Sequence, residues 1–201
     1  MRPTLAVLAW LAAGAAACAQ TPSLRIRVLD YARLPDATLR DFQAPAREIF
    51  RRSGIEAEWP TCRIPTRQGF CGPLGEGEVF LKIVRQPAPS AGRGPRRFGS
   101  TVRQGRRSLF SYVFWMRIQE SARDHGLEPS LVLAHVIAHE AGHLLGLDHS
   151  ASGIMSPELD RPELLRAASQ GDLGFTGAES AALRRALTPG SLAYRSAAAS
   201  R

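Results

Sequence analysis

Lysine is almost absent from this chain. Of 26 basic residues only Lys82 is a lysine, so arginine carries the net charge of +8. The arginines gather at Arg93, Arg96, Arg97, Arg103, Arg106 and Arg107. No nucleic-acid module surrounds them, so a solvated basic loop is expected and a nucleic-acid partner is not. No internal repeat is present, which excludes a solenoid or propeller. Past residue 17 no apolar run is long enough to cross a bilayer, so no membrane span is expected. Cysteine is scarce, three in 201 residues. That excludes a disulfide-dense scaffold, and a chain of this length can bury a core of its own.

What is present begins with an export signature. Arg2 precedes the apolar run Leu5 to Ala17, and the small residues Ala17 and Ala19 suit cleavage before Gln20. Residues 1–19 are therefore read as a signal peptide and the product as secreted or periplasmic. The alternative is a lipid anchor on Cys18, ranked second because Ala15 stands where a bulky aliphatic is usual. Cys62 and Cys71 flank a Pro- and Gly-rich segment, where a disulfide would restrain a loop in an oxidising compartment. Residues 20–190 read as one domain, expected to act as a monomer, and 191–201 as a disordered tail.

Leu24, Ile26 and Val28 alternate with Arg25 and Arg27, a strand with one buried face. A helix is expected from Pro35 to about Arg52, ended by Gly54. Strands follow at Ile55–Trp59 and Val79–Val84, separated by a cysteine-bearing loop from Pro60 to Gly77. After a loop from Gln86 to Arg97 come a short edge strand at Phe98–Arg103 and a strand at Leu109–Trp115 running into a helix through Asp124. His125-Gly126 breaks the chain. Pro129 then opens a long helix to about Leu145, and a last helix spans roughly Gly177 to Leu187. The order predicts an α+β fold: a mixed twisted sheet, helices packed on it, and a mostly irregular C-terminal part ending in a helix.

The chemistry lies in residues 139 to 149, His-Glu-Ala-Gly-His-Leu-Leu-Gly-Leu-Asp-His. Three of the five histidines fall in this stretch. Residues four apart share a helix face, so His139 and His143 can address one ion. Glu140 sits one step round, able to reach a water without ligating the metal. Gly146 permits the left-handed turn that ends the helix, and His149 returns as third ligand. Three nitrogen ligands with one position open is the pattern of a catalytic Zn2+ site. The expected reaction is hydrolysis of a peptide bond, with Glu140 as general base and then proton donor to the amine.

His139, Glu140, His143, Gly146 and His149 together resemble the zinc motif of the metzincin metallopeptidases. Ser152-Gly153-Ile154-Met155-Ser156 resembles their Met-turn, which would place Met155 beneath the ligands. Asp148-His149-Ser150 and Met155-Ser156-Pro157 are most similar to the matrixin-like branch. The likeness covers about Ala134 to Pro157. It implies a metzincin-like zincin architecture and a secreted zinc endopeptidase acting on peptide or protein substrates. No cysteine-bearing inhibitory motif and no upstream His/Asp-rich segment accompany it. The resemblance further implies an extended substrate added to an edge strand, here Gly99 to Arg103, and a pocket shaped by residues 156–175. The neighbouring arginines would favour acidic substrates. Two other readings stay open: a narrow-specificity zinc hydrolase acting on cell-wall peptides, and a non-catalytic zinc-binding interaction protein. Asp148 is read either as a partner of a ligand ring or as a turn residue, and His135 as a packed helix histidine. Gly142 costs a helix roughly 1 kcal/mol against Ala, which close packing would explain.

Overall fold

In β1 (Ser23–Asp30), Leu24, Ile26, Val28 and Asp30 are buried while Ser23 and Arg25 are exposed. The alternation aims one face of the strand at the core. The computed structural model describes residues 21–63, 78–86, 97–104 and 107–188. Across the sheet the order is β2 (Glu56–Glu58), β1, β4 (Glu78–Val84), β6 (Arg107–Phe114) and β5 (Gly99–Gln104), with β3 (Thr61–Arg63) also on β1. β2 and β3 pair with opposite ends of β1, and between them Val28 N–H donates to Pro60 O. Neighbouring strands are parallel except β5, which is antiparallel to β6 and forms an edge. The sheet is mixed, as expected, and the edge strand lies where the sequence places it.

Three expectations are corrected. The helix expected from Pro35 to Arg52 is two, α1 (Asp36–Asp41) and α2 (Gln43–Arg52). Pro45 has no N–H to give to the carbonyl of Asp41, and its ring crowds that carbonyl, so the ladder is interrupted there. The expected loop from Pro60 begins instead with β3, whose three residues are too few to show a period. The C-terminal part is less irregular than expected, because α5 (Pro162–Ser169) lies within it and buries Leu165 and Ala168. Its eight residues are short, and its apolar positions cover only two turns.

α3 (Trp115–His125) ends at Gly126, which takes φ +64°. α6 (Gly177–Ala186) starts with a capping box: Glu179 N–H donates to Thr176 Oγ1, and Thr176 N–H donates to Glu179 Oε2. α4 (Pro129–Leu144) is buried at every residue from Val132 to Leu144. A helix apolar all round belongs inside a fold, and α4 packs against α2, α3, α5, β5 and β6. The buried apolar residues form one continuous cluster that includes Val132, Leu133, Val136 and Ile137 of α4. Burial on this scale ties the helix that carries the histidines to the sheet and to the helices around it.

Among the described residues no helix is long and apolar enough to cross a membrane. The expected signal peptide, the tail and Cys71 lie outside the described residues, as do Arg93, Arg96 and Arg106.

Candidate metal centre

The last turn of α4 is closed by two backbone bonds. Gly146 N–H donates to His143 O at 3.1 Å and Leu147 N–H to Gly142 O at 2.9 Å. This double closure needs a left-handed residue, and Gly146 supplies it at φ +93°. The chain then doubles back and brings His149 to the face that already holds His139 and His143. His143 Nε2 lies 3.1 Å from His139 Nε2 and 3.1 Å from His149 Nε2. Two nitrogens about 2.0–2.1 Å from one tetrahedral ion would stand about 3.3 Å apart, so the spacing fits a shared metal. Among the described residues these three form the one group placed to hold such an ion.

The protonation pattern gives the same answer. His139 Nδ1 is 2.7 Å from Ile154 O, and His143 Nδ1 is 2.8 Å from Leu147 O. A carbonyl only accepts, so each Nδ1 carries the proton and each Nε2 presents a lone pair. Lone pairs converging at 3.1 Å repel unless a cation lies between them. Burial pushes His139 down to about 4, offset in part by its bond to Ile154, with His143 and His149 pushing it further down. Burial also lowers His143. Neutral imidazoles with aligned Nε2 atoms fit zinc, a borderline ion that takes such nitrogens. Sequence reasoning did not find the two carbonyls, because nothing in the local pattern marks them.

Glu140 is almost wholly buried beside this group. Burial raises its carboxyl to about 7, while hydrogen bonds from Thr101 and Ser111 pull it down. Thr101 Oγ1 donates to Oε2 at 2.8 Å. Gly99 stands opposite: a Cβ there would lie 2.3 Å from Glu140 Oε1. Gly99, Thr101 and Ser111 were not singled out as acting on Glu140 by the sequence.

Met155 is fully buried and sits against the helix at Gly142, where a Cβ would lie 2.6 Å from its Sδ. The glycine therefore makes room for the thioether under the ligand-bearing turns. Ser150 N–H donates to Met155 O, and Ile154 N–H donates to Gly174 O, which fixes the turn whose Ile154 carbonyl receives His139. Gly142→Ala should be overpacked by about 1–3 kcal/mol, against roughly 1 kcal/mol gained in helix propensity. A net loss of about 1 kcal/mol is expected in denaturant unfolding, and a more stable variant would contradict this packing.

Asp148 is exposed, and its ion-pair partner is Arg103 rather than any of the three ligand rings. The two lie 3.2 Å apart, and Arg103 also reaches Leu147 O at 3.4 Å. The turn reading is the one the geometry supports. Ser108 Oγ donates to His143 O at 2.9 Å, so both β5 and β6 hold the end of α4. His135 is buried with Nδ1 2.9 Å from Leu131 O, and burial lowers its pKa. It is a packed histidine, as expected.

A cleft of about 480 Å³ opens over the histidines between β5 and the segment from Ser156 to Asp160. Its charges are mixed. Arg97 and Arg103 lie on one side, Glu158 and Asp160 on the other. The expected general preference for acidic substrates is narrowed by Asp160, by Glu158, itself paired with Arg161, and by the engagement of Arg103 with Asp148.

Neither a protein-family model nor a curated protein sequence matches the chain. Solved structures do. Metalloproteinase-II from Bacteroides fragilis is 11% identical, over 83% of this chain and 53% of that one, with a TM-score of 0.49. The archaemetzincin of Methanopyrus kandleri is 17% identical, over 84% of this chain and 97% of that one, with a TM-score of 0.50. At that identity the archaemetzincin likeness shows the fold: an α+β arrangement with a mixed sheet, shared over most of both chains.

Proposed function

We propose that this chain is a zinc-dependent endopeptidase of metzincin-like architecture, its motif nearest the matrixin-like branch. The observation that carries the reading is the convergence of three imidazole Nε2 atoms in an open cleft, with Glu140 beside them. His139, His143 and His149 would hold the ion and leave one coordination position open. Bound zinc would supply Lewis acidity toward water and the scissile carbonyl.

The remaining work falls to the chain itself. The carbonyls of Ile154 and Leu147 hold the His139 and His143 rings in the tautomer that leaves Nε2 free. Glu140 takes the proton of the attacking water and gives it to the leaving amine. An extended peptide adds to the outer edge of β5, the last strand of the sheet among the described residues, its backbone paired as a further strand. Ser156 to Asp160 wall the other side of the bound peptide. Arg97 would favour an acidic side chain near the β5 side, and Asp160 and Glu158 a basic one opposite. Residues that serve only a structural zinc have no use for a carboxylate placed in the cleft, which weighs against a non-catalytic role.

The export signature, the pairing of Cys62 with Cys71 and action as a monomer complete the proposal. These three parts rest on the sequence. Location is secreted or periplasmic, with a lipid anchor on Cys18 as the alternative.

A peptide library exposed to purified protein beginning at Gln20 tests the substrate class. Internal cuts at many peptides, mapped by mass spectrometry, are the expected result. Cleavage confined to cell-wall peptides would replace endopeptidase with the narrower hydrolase.

A further inference from the structure

Three elements meet on one carboxylate. Thr101 of β5 donates its hydroxyl hydrogen to Glu140 Oε2, and its oxygen lies 2.5 Å from Ser111 Oγ of β6. The two residues face each other across the β5–β6 ladder, and Ser111 is fully buried. A hydroxyl has a single hydrogen. With that of Thr101 given to Glu140, the single hydrogen of Ser111 supports the carboxylate either through Thr101 or directly. Gly99, two residues away on the same face of β5, adds the other half of the cradle. A Cβ at that position would lie 2.3 Å from Glu140 Oε1 and 2.6 Å from Tyr112 O. One oxygen is thus tethered by a hydroxyl, and the other rests on bare backbone.

Metal binding alone does not call for this arrangement, since Gly99, Thr101 and Ser111 are not among the hydrogen-bond partners of the imidazoles. Nor does the sheet: a valine at position 101 would suit a strand as well as threonine and would bury no hydroxyl. What the arrangement does is select one orientation of a long, flexible acid. A glutamate side chain has several rotamers, and some would carry the carboxylate away from a water over the histidines. A base held in place avoids that loss at each turnover.

We propose that Thr101, supported by Ser111, is a positioning residue that fixes the Glu140 carboxylate and leaves Oε1 to accept the proton of the reacting water. This rests on the reading of Glu140 as general base. Thr101 acts through Glu140, so its loss lowers kcat and leaves the metal site intact.

Two measurements test it. In zinc-loaded protein, Thr101→Val should lower kcat by roughly 10- to 100-fold, with KM and zinc affinity within about twofold, and Thr101→Ser should restore most of the rate. Unchanged kcat in Thr101→Val, or no rescue by serine, would overturn the proposal. In metal-free protein, unfolding of Thr101→Val, Glu140→Ala and the double variant forms a cycle, with Glu140→Met in its place, similar in length but with no oxygen to accept from Thr101, if the alanine variant does not fold. The unfolding constants should show coupling of roughly fivefold or more, and additive effects would overturn the contact. A wild-type protein that binds zinc yet cleaves nothing would overturn the hydrolase reading, and the metal-free cycle then decides the hold on Glu140 by itself.

Discussion

Glu140→Gln should reduce peptide hydrolysis by on the order of 10³-fold while zinc content stays at the wild-type level. General-base catalysis is worth about 10²–10⁴-fold in rate, and glutamine removes the base with almost no change in shape. Its amide oxygen can still accept from Thr101, so the cradle formed with Gly99 stays filled. The three imidazoles are untouched, because Glu140 is not among the residues grouped as ligands. Thermal stability should hold or rise. Burial is the largest influence on this carboxyl, and a neutral amide avoids the cost of keeping a charge there. Matched assays of zinc content and turnover provide the check. Wild-type activity in the loaded variant would remove Glu140 from the mechanism.

His143→Ala should have the next largest effect, on metal affinity. His143 Nε2 is the centre of the group, 3.1 Å from each of the other two. Its Nδ1 also ties the helix to Leu147, just ahead of His149. Removing it deletes a ligand and loosens the loop that presents another. Loss of partners in the outer shell of a zinc site costs roughly 10–100-fold in affinity, and a direct ligand should exceed that. Competition against a chromophoric chelator measures it. His135→Ala is the control: that ring is bonded to Leu131 O and lies outside the group, so zinc should bind as in wild type. Equal affinity in His143→Ala and wild type would exclude the three-histidine site.

The parts of this protein that follow a local period were legible in its sequence. The alternation around Ile26 marks β1, and the buried run from Val132 to Leu144 marks α4. The spacing of His139, His143 and Gly146 gives a helix face and its end. These features depend on near neighbours, and their geometry follows from 2.0 and 3.6 residues per repeat. Contacts between distant segments were not legible. Thr101 is 39 residues from Glu140, and Ser108 is 35 from His143. Only the sheet order, with β5 outside β6, brings them to the helix. Gly142 lies between these cases. Its cost in a helix was visible, but the atom it accommodates, Met155 Sδ, was not. The eight residues of α5 show too little periodicity to mark a helix, and the apolar pattern that runs on from Leu39 to Phe50 hides the break that Pro45 makes near Phe42.

The most direct test titrates a chelator into the wild-type protein while bound zinc and peptide hydrolysis are read in the same samples. The account predicts that activity falls in proportion to zinc removed and returns with one equivalent of zinc per chain. Hydrolysis that persists after the zinc has gone, or one bound equivalent with no cleavage across a broad peptide library, would contradict it.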